Sequence, residues 1–413
     1  MATPPPSVPV QPRPAQPPLL PAPATDDLPL LCALACAHGL SAPLLAAAVQ
    51  AAGSLSGVPA LGASTLAALG WRQAAVRGLL RCDPAQVEAM AVAVQRLGLT
   101  LLAAHHPAYP AQLRPLADAP AVLFVRGSVA ALAAPQLAMV GSRHPTALGR
   151  ATAREFAHHF AAQGLAITSG LAVGIDGASH EGALAAQGIT LAVCATGLDQ
   201  CYPSVHAALA ERIVAGGGAL VSELPPGAPP LPGHFPQRNR IISGLARGVL
   251  VVEAALRSGS LSTARFAGEQ GRSIMAIPGS IHSAQSRGCH KLLRDGAALV
   301  ETAEDVLTEI RFTPSNQWVA SLVVGSDTPD RDGTRLDNPA EMLLDALGFE
   351  PTSADALIAS TGLSSTSVAS LLLALELEGR IASDASGRYF RPMAPAAAPR
   401  PPTDQGPTST ART

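Results

Sequence analysis

Lysine is almost missing from this chain: of 28 basic residues among 413, Lys291 alone is a lysine, and the arginine-and-alanine bias is what a GC-rich genome produces. A basic balance is missing as well. The formal net charge of −2 excludes a histone-like coat, although it leaves room for a local basic pocket. Aromatic residues make up only 3% of the chain, so few rings are available for the core or for a surface. The six cysteines, Cys32, Cys36, Cys82, Cys194, Cys201 and Cys289, form no CxxC pair and lack a companion histidine spacing, so no metal site is expected. Cys32 and Cys36 lie one helical turn apart in an apolar stretch and read as reduced core thiols. The start of the chain has no basic segment, and its first apolar run is broken by His38 and Gly39. Neither an export signal nor a membrane span is expected, which points to the cytoplasm.

What is present is enough apolar sequence, 48%, for two or three domains. Residues 1–26 and 392–413, rich in Pro and Ala, read as disordered tails. Residues 27–100 read as a small helical domain, with helices at Leu30–Leu34, Ala42–Ala52, Ser64–Leu69, Gln73–Leu80 and Pro84–Leu97. Its Leu61-Gly62 and Leu69-Gly70 turns suit either helix caps or the loops of a helix-hairpin-helix module. Residues 101–312 carry a different rhythm. Strands are expected at Leu137–Val140, Leu165–Thr168, Thr190–Cys194, Ala219–Ser222, Gly248–Val252 and Ser273–Ile277, each followed by a loop and a helix. Repeated strand, loop and helix units imply an α/β fold: a Rossmann-like, doubly wound, mostly parallel sheet with ligands beyond the carboxyl ends of its strands. Residues 313–337 read as a linker, and 338–391 as a winged helix with its wing at Ser386-Gly387. That last unit is poor in basic residues, so it suits protein contact as well as DNA.

The strand-to-helix loops carry the chemistry. Gly141, Ser142 and Arg143 precede a helix, where outward amides and the helix dipole favour an anion and arginine adds a forked donor. Ser169, Gly170 and Gly174 form a second cradle, with Asp176 and His180 following. In Phe235-Pro236-Gln237-Arg238-Asn239-Arg240, the two arginines cannot face one ligand from one helical face, so one is expected on phosphate and the other on neighbouring loops. Phe235 could stack on a base or belong to the core. Ser258, Gly259 and Ser260 open another helix, and Lys291 adds positive potential near a further one. A dinucleotide fingerprint would need G-x-G-x-x-G after the first strand and an acidic residue about 20 positions on. Neither occurs, so NAD is disfavoured and no cofactor is expected. Glu223 and Glu253 are the carboxylates placed like a general acid or base, but capping and the orientation of Arg238, Arg240 and Arg257 account for them better.

Taken in order, VGSRHPTALG, SGLAVGIDGASHEGAL, GLDQCYPSVH, SELPPG, FPQRNRIISGL, VVEAALRSGSLSTARFAGEQGR, IPGS and SRGCHKLLRDGA make the chain resemble the DNA processing protein A family, also called DprA or Smf. The resemblance runs from about Leu28 to Arg391. It implies a helical domain, an extended Rossmann fold and a winged helix. It also implies a non-catalytic protein that binds single-stranded DNA, delivers it to the RecA recombinase in natural transformation, and acts as a homodimer. The DNA contacts it implies are Ser142, Arg143, Ser169, Gly170, Phe235, Arg238, Asn239 and Lys291. Gly141, Gly174, Arg240, Ser258, Gly259 and Ser260 join them from the loop readings. Val173 stands where many relatives have a basic residue, which weakens one phosphate contact.

Two other readings compete. A nucleoside-monophosphate phosphoribohydrolase would use a related layout, but its PGGxGTxxE segment is replaced here by the serine-rich stretch Glu253–Thr263. A duplex-binding regulator would need a more basic winged helix than residues 338–391 offer.

Overall fold

A computed structural model describes residues 28–313, 343–344, 346–347, 352–377, 380–383 and 387–390. The two expected tails, the expected linker apart from Thr313, and, in the expected winged helix, most of residues 338–351 and Ser386 of its wing lie outside the described residues. The chain divides into two compact units, Met1–Val324 and Gly325–Thr413.

The first unit begins with five helices: α1 (Leu28–Ala35), α2 (Ala42–Ala52), α3 (Gly62–Ala68), α4 (Gln73–Leu80) and α5 (Pro84–Arg96). Local chemistry sets their ends. Asp83 caps α5 by accepting from Ala85 N at 2.9 Å, with Pro84 in the first turn, where a missing N–H costs nothing. Gly62 closes a short 3₁₀ turn at Val58–Leu61 with φ +74°, so that Leu-Gly pair ends a helical turn. Leu31, Leu34, Leu45 and Leu66 are buried together with Cys32 and Cys36, which are core thiols. This apolar cluster runs without a break into the sheet that follows, through Leu102, Leu123 and Val221.

That sheet has nine strands: β1 (Thr100–Ala103), β2 (Val122–Gly127), β3 (Gln136–Val140), β4 (Ala166–Ser169), β5 (Thr190–Val193), β6 (Ala219–Ser222), β7 (Gly248–Val251), β8 (Ser273–Ala276) and β9 (Ala298–Leu299). Their order is β1-β2-β6-β5-β4-β3-β7-β8-β9. The six expected strands are found within a residue or two of their expected ends. Three more were not foreseen: β1 and β2 extend one edge antiparallel, and β9 adds two residues to the other. Between the strands run α6 (Ala147–Ala162), α7 (Ile175–Ala185), α8 (Ala207–Ala215), α9 (His234–Leu245), α10 (Ser260–Glu269), α11 (Arg287–Arg294) and, after β9, α12 (Ala303–Glu309). β3 to β7 are buried along their whole length, as strands covered by helices on both faces must be.

From β3 the chain steps through β4, β5 and β6 in one direction, then returns to the other side of β3 for β7, β8 and β9. The loops after β3 and β7 therefore diverge, and a crevice opens between them at the carboxyl ends of the strands.

In the second unit, α13 (Ala354–Thr361) is capped by Ser353 and ends at Gly362 with φ +68°, and α14 (Ser365–Leu377) follows. Strands β10 (Ala382–Ser383) and β11 (Tyr389–Phe390) pair antiparallel, and Thr352 exchanges backbone hydrogen bonds of 2.8 and 2.9 Å with Tyr389. Leu357, Val368, Leu372, Leu375 and Ile381 pack with Leu343, Leu344 and Leu347 into its core. Among the described residues, no single helix is long and apolar enough to cross a membrane.

Candidate nucleic-acid interface

The crevice between the β3 and β7 loops is a cleft of about 690 Å³. Gly141, Ser142, Arg143, Phe235, Arg238, Asn239, Ser258, Gly259 and Ser260 all line it, so residues 119 positions apart in sequence share one surface. Ala172, Pro232, Arg257, Ser262, Thr263 and Gln285 also stand in the wall.

Backbone hydrogen bonds fix the β3 loop. Ser142 N donates to Glu253 O at 2.7 Å, Ile175 N donates to Ser142 O at 3.1 Å, and the Ser142 hydroxyl accepts from His144 N at 3.1 Å. Thr146 caps α6 by accepting from Gly149 N at 2.9 Å. The Glu253 carboxylate accepts from Thr146 N at 2.9 Å and from the Thr146 hydroxyl at 2.5 Å. Glu253 thus holds the start of α6, and both its oxygens are engaged. Gly174 sits at φ +87°, and a Cβ there would run into the Ser142 carbonyl, so only glycine lets the β3 and β4 loops touch.

Beneath the cleft lies a buried polar layer. The Ser169 hydroxyl donates to Met139 O at 2.6 Å and stitches β4 to β3. Gly170 N and Ala172 N donate to the Asp176 carboxylate at 3.1 and 3.4 Å. Arg238, only 5% exposed, donates from Nη1 to Gly170 O at 2.6 Å and also to Val193 O, while its Nε has no partner. Burial pulls the Arg238 guanidinium below its ordinary value, and the nearby Asp176 charge opposes that. Burial likewise pushes the Asp176 carboxyl up, against Arg238 and its backbone donors. Next to this layer His180, fully buried, is hydrogen-bonded through Nδ1 to Thr190 Oγ1 at 2.7 Å. Since the Thr190 hydroxyl donates to Ile167 O at 2.7 Å, Nδ1 carries the proton and Nε2 is left without a partner.

At the surface, Arg143 is exposed and its guanidinium lies 5.6 Å from the Phe235 ring centroid. Asn239 reaches across to α10, donating to Ser262 Oγ at 2.8 Å and Gly259 O at 3.3 Å. Ser258 and Ser260 hydroxyls meet at 2.7 Å at the start of that helix. Amides, hydroxyls and an exposed guanidinium on the β3 loop and at the α10 start suit an oxyanion.

Two expected contacts stand elsewhere. Arg240 turns away from the cleft to Glu223, with Asp118 at 3.7 Å from its Nε, and burial raises the Glu223 carboxyl. Lys291 on α11 pairs with Asp295 at 3.3 Å. Conversely, Gln285 reaches the wall because Ala254 N donates to its carbonyl at 2.7 Å, a long-range contact that no local motif announces. Arg257 was legible as a charge beside Ser258, but its place in the wall was not.

Fold and cleft define a doubly wound α/β domain with an open cleft, lined by amides, hydroxyls and arginines, at its topological switch point. Sequence comparison identifies the kind. The family described as DNA recombination-mediator protein A matches residues 100–311, and the DprA winged helix domain matches residues 327–387. Protein Smf of Escherichia coli K12 is 45% identical over 292 residues, 70% of this chain and 77% of that protein. DNA processing protein DprA of Streptococcus pneumoniae R6 is 47% identical over 205 residues, covering 49% of this chain and 72% of that protein. An X-ray structure of DNA processing protein A from Streptococcus pneumoniae superposes with a TM-score of 0.57 at 36% identity, covering 68% of this chain and 97% of that one. The chain belongs to the DprA/Smf family of DNA processing proteins.

Proposed function

We propose that this protein binds single-stranded DNA through the β3–β7 cleft, without catalysis, and hands it to the RecA recombinase. The observation that carries this reading is the convergence of Arg143, the α10 helix start and the Phe235 ring on one open surface of a DNA processing protein. Consecutive phosphates meet Gly141, Ser142, Arg143 and the Ser258–Ser260 turn, with Asn239 and Arg257 beside them. Arg238 acts from below: its charge raises the potential of the cleft floor while its N–H groups hold the loops. Ser169, Gly170 and Gly174 keep those loops close enough to share a ligand. Glu253 is engaged with Thr146, and Glu223 with Arg240, so neither is free to move a proton. In this reading the protein works in the cytoplasm as a homodimer.

Fluorescence anisotropy of a labelled oligonucleotide at several salt concentrations tests it. About four phosphate contacts give a log–log slope of roughly −3 for a single strand, and Arg143→Ala flattens it by about 0.7. Affinity independent of salt, or equal for duplex and single strand, overturns the reading.

A further inference from the structure

We propose that Tyr202 is the outer base platform of the cleft and the residue that makes it prefer single strands, with Phe235 as its support rather than as the platform itself. This rests on the single-strand reading above.

The chain has 13 aromatic residues, 2 Trp, 3 Tyr and 8 Phe. Tyr109, Phe124 and Phe160 fill its core. Tyr202, by contrast, is 49% exposed, the one aromatic side chain among the large apolar residues exposed in the described part of the chain. Removing a ring from so small a supply and leaving it in water is unfavourable unless something covers it. Its position supplies the candidate. Tyr202 packs against Phe235 with ring centroids 5.4 Å apart and planes inclined at 59°, and Phe235 already lies beneath Arg143. Phe235 is therefore engaged by two neighbours, and the open ring next to the Arg143 phosphate site is that of Tyr202.

The platform is also held in place. Gly197 N donates to Ala228 O at 3.0 Å, Gln200 Nε2 donates to the same carbonyl at 2.8 Å, and Asp199 accepts from Gly227 N at 2.8 Å. On its other side, His206 Nδ1 donates to Leu171 O at 2.8 Å, tying the turn after Pro203 to the β4 loop. A ring carried on a tied loop needs little ordering when a base settles on it. Stacking tolerates any base, because each has a π face, but in a duplex those faces are already occupied. A strand leaving Arg143 with one base on Tyr202 thus gains from being single.

The test measures anisotropy with the full-length protein and a thymidine oligonucleotide carrying one abasic site at successive positions. Tyr202→Ala weakens binding of the intact oligonucleotide by about fivefold to a hundredfold, the range of one base stack. The log–log salt slope stays the same, since no phosphate contact is lost, and Tyr202→Trp keeps the affinity. At one position the abasic site reproduces the loss in the wild type and adds nothing in Tyr202→Ala. Tyr202→Leu keeps apolar contact with Phe235 without a π face; it serves if circular dichroism shows that the alanine variant is misfolded, and it weakens binding likewise. Wild-type-like affinity in a folded Tyr202→Ala or Tyr202→Leu overturns the proposal and leaves the ring to a protein partner, while the salt-dependent cleft reading stands. Absence of single-strand binding by the wild type instead removes the cleft reading itself.

Discussion

Replacing Arg238 by methionine asks whether a cation under a nucleic-acid cleft is a ligand or a strut. Arg238 is 5% exposed and bonded to two carbonyls, Gly170 O on the β4 loop and Val193 O at the end of β5. Methionine fills a similar volume but leaves both carbonyls without a donor, at about 1–3 kcal/mol each where water cannot reach. It also leaves Asp176 without its compensating charge, a change worth about 3–5 kcal/mol when a buried charge loses its partner. These costs overlap, because Asp176, already pushed up by burial, takes up a proton instead of remaining charged. The expected loss is about 3–5 kcal/mol. Arg238→Lys keeps the charge, and its ammonium has donors for both carbonyls, which Arg238 reaches from the one atom Nη1, but a compact ammonium is more strongly hydrated and costs more to bury, so a loss of about 2 kcal/mol is expected. Urea titrations followed by circular dichroism give the stability, and anisotropy at several salt concentrations gives the slope. A strut predicts a large stability loss in both variants and, under conditions where Arg238→Lys remains folded, an unchanged slope. If Arg238→Met loses less than about 1 kcal/mol and flattens the slope by about 0.7, the side chain meets phosphate and the argument from burial is wrong.

Gly174→Ala places a Cβ against the Ser142 carbonyl at a φ of +87°, so a loss of about 3 kcal/mol is expected in thermal melts, with weaker single-strand binding as the two loops part. His180 is held neutral in the fold, its pKa pulled down from 6.5 to about 3 by burial first and then by His206 and Arg238. The unfolded chain therefore binds the extra proton below about pH 6.5, and stability falls with pH from there toward 3. Between pH 7 and 5 that contribution is roughly 2 kcal/mol; the Asp176 carboxyl, pushed up by burial, acts in the opposite sense, so the histidine's share is read from the difference between wild type and a His180 variant. His180→Gln should flatten the stability–pH profile relative to the wild type in paired urea titrations; parallel profiles would show that the histidine is not the acid-sensitive group.

The interior strands were legible in sequence for a physical reason. A parallel strand buried on both faces is a short apolar run, and the glycine-rich loop and helix behind it repeat six times from Gln136 onward. The edge strands break that rhythm. In β2, residues 122–125 are as apolar as any interior strand, but no α-helix follows β2 before β3, because it returns antiparallel against β6, with Phe124 opposite Ser222. β9 is two residues long, too short for any periodicity. Nor does composition reveal that the N-terminal helices and the sheet share one core, since Leu45 and Leu102 belong to patterns of different period that meet only in three dimensions.

At the cleft, the loops were legible and the roles of the cations were not. A glycine and a hydroxyl between a strand and a helix announce exposed amides whatever the rest of the fold does. An arginine announces only a charge. Arg238 and Arg240 lie two residues apart on α9, hence on different faces, and they part; of the pair expected to divide between phosphate and neighbouring loops, Arg238 holds loops and Arg240 turns to Glu223. Which way each goes depends on partners far along the chain: Gly170 and Val193 draw Arg238 beneath the floor, and Glu223 with Asp118 draws Arg240 off the edge. Lys291 finds Asp295 one helical turn away. The cations left exposed in the wall are Arg143 and Arg257. A tally of basic residues in the motifs therefore overstates the charge that reaches a strand. If the cleft holds a single strand as proposed, with so few arginines in its wall much of the grip on phosphate comes from the amides and hydroxyls of the β3 loop and the α10 start, and affinity depends on how rigidly Gly174, Arg238 and Glu253 hold these together.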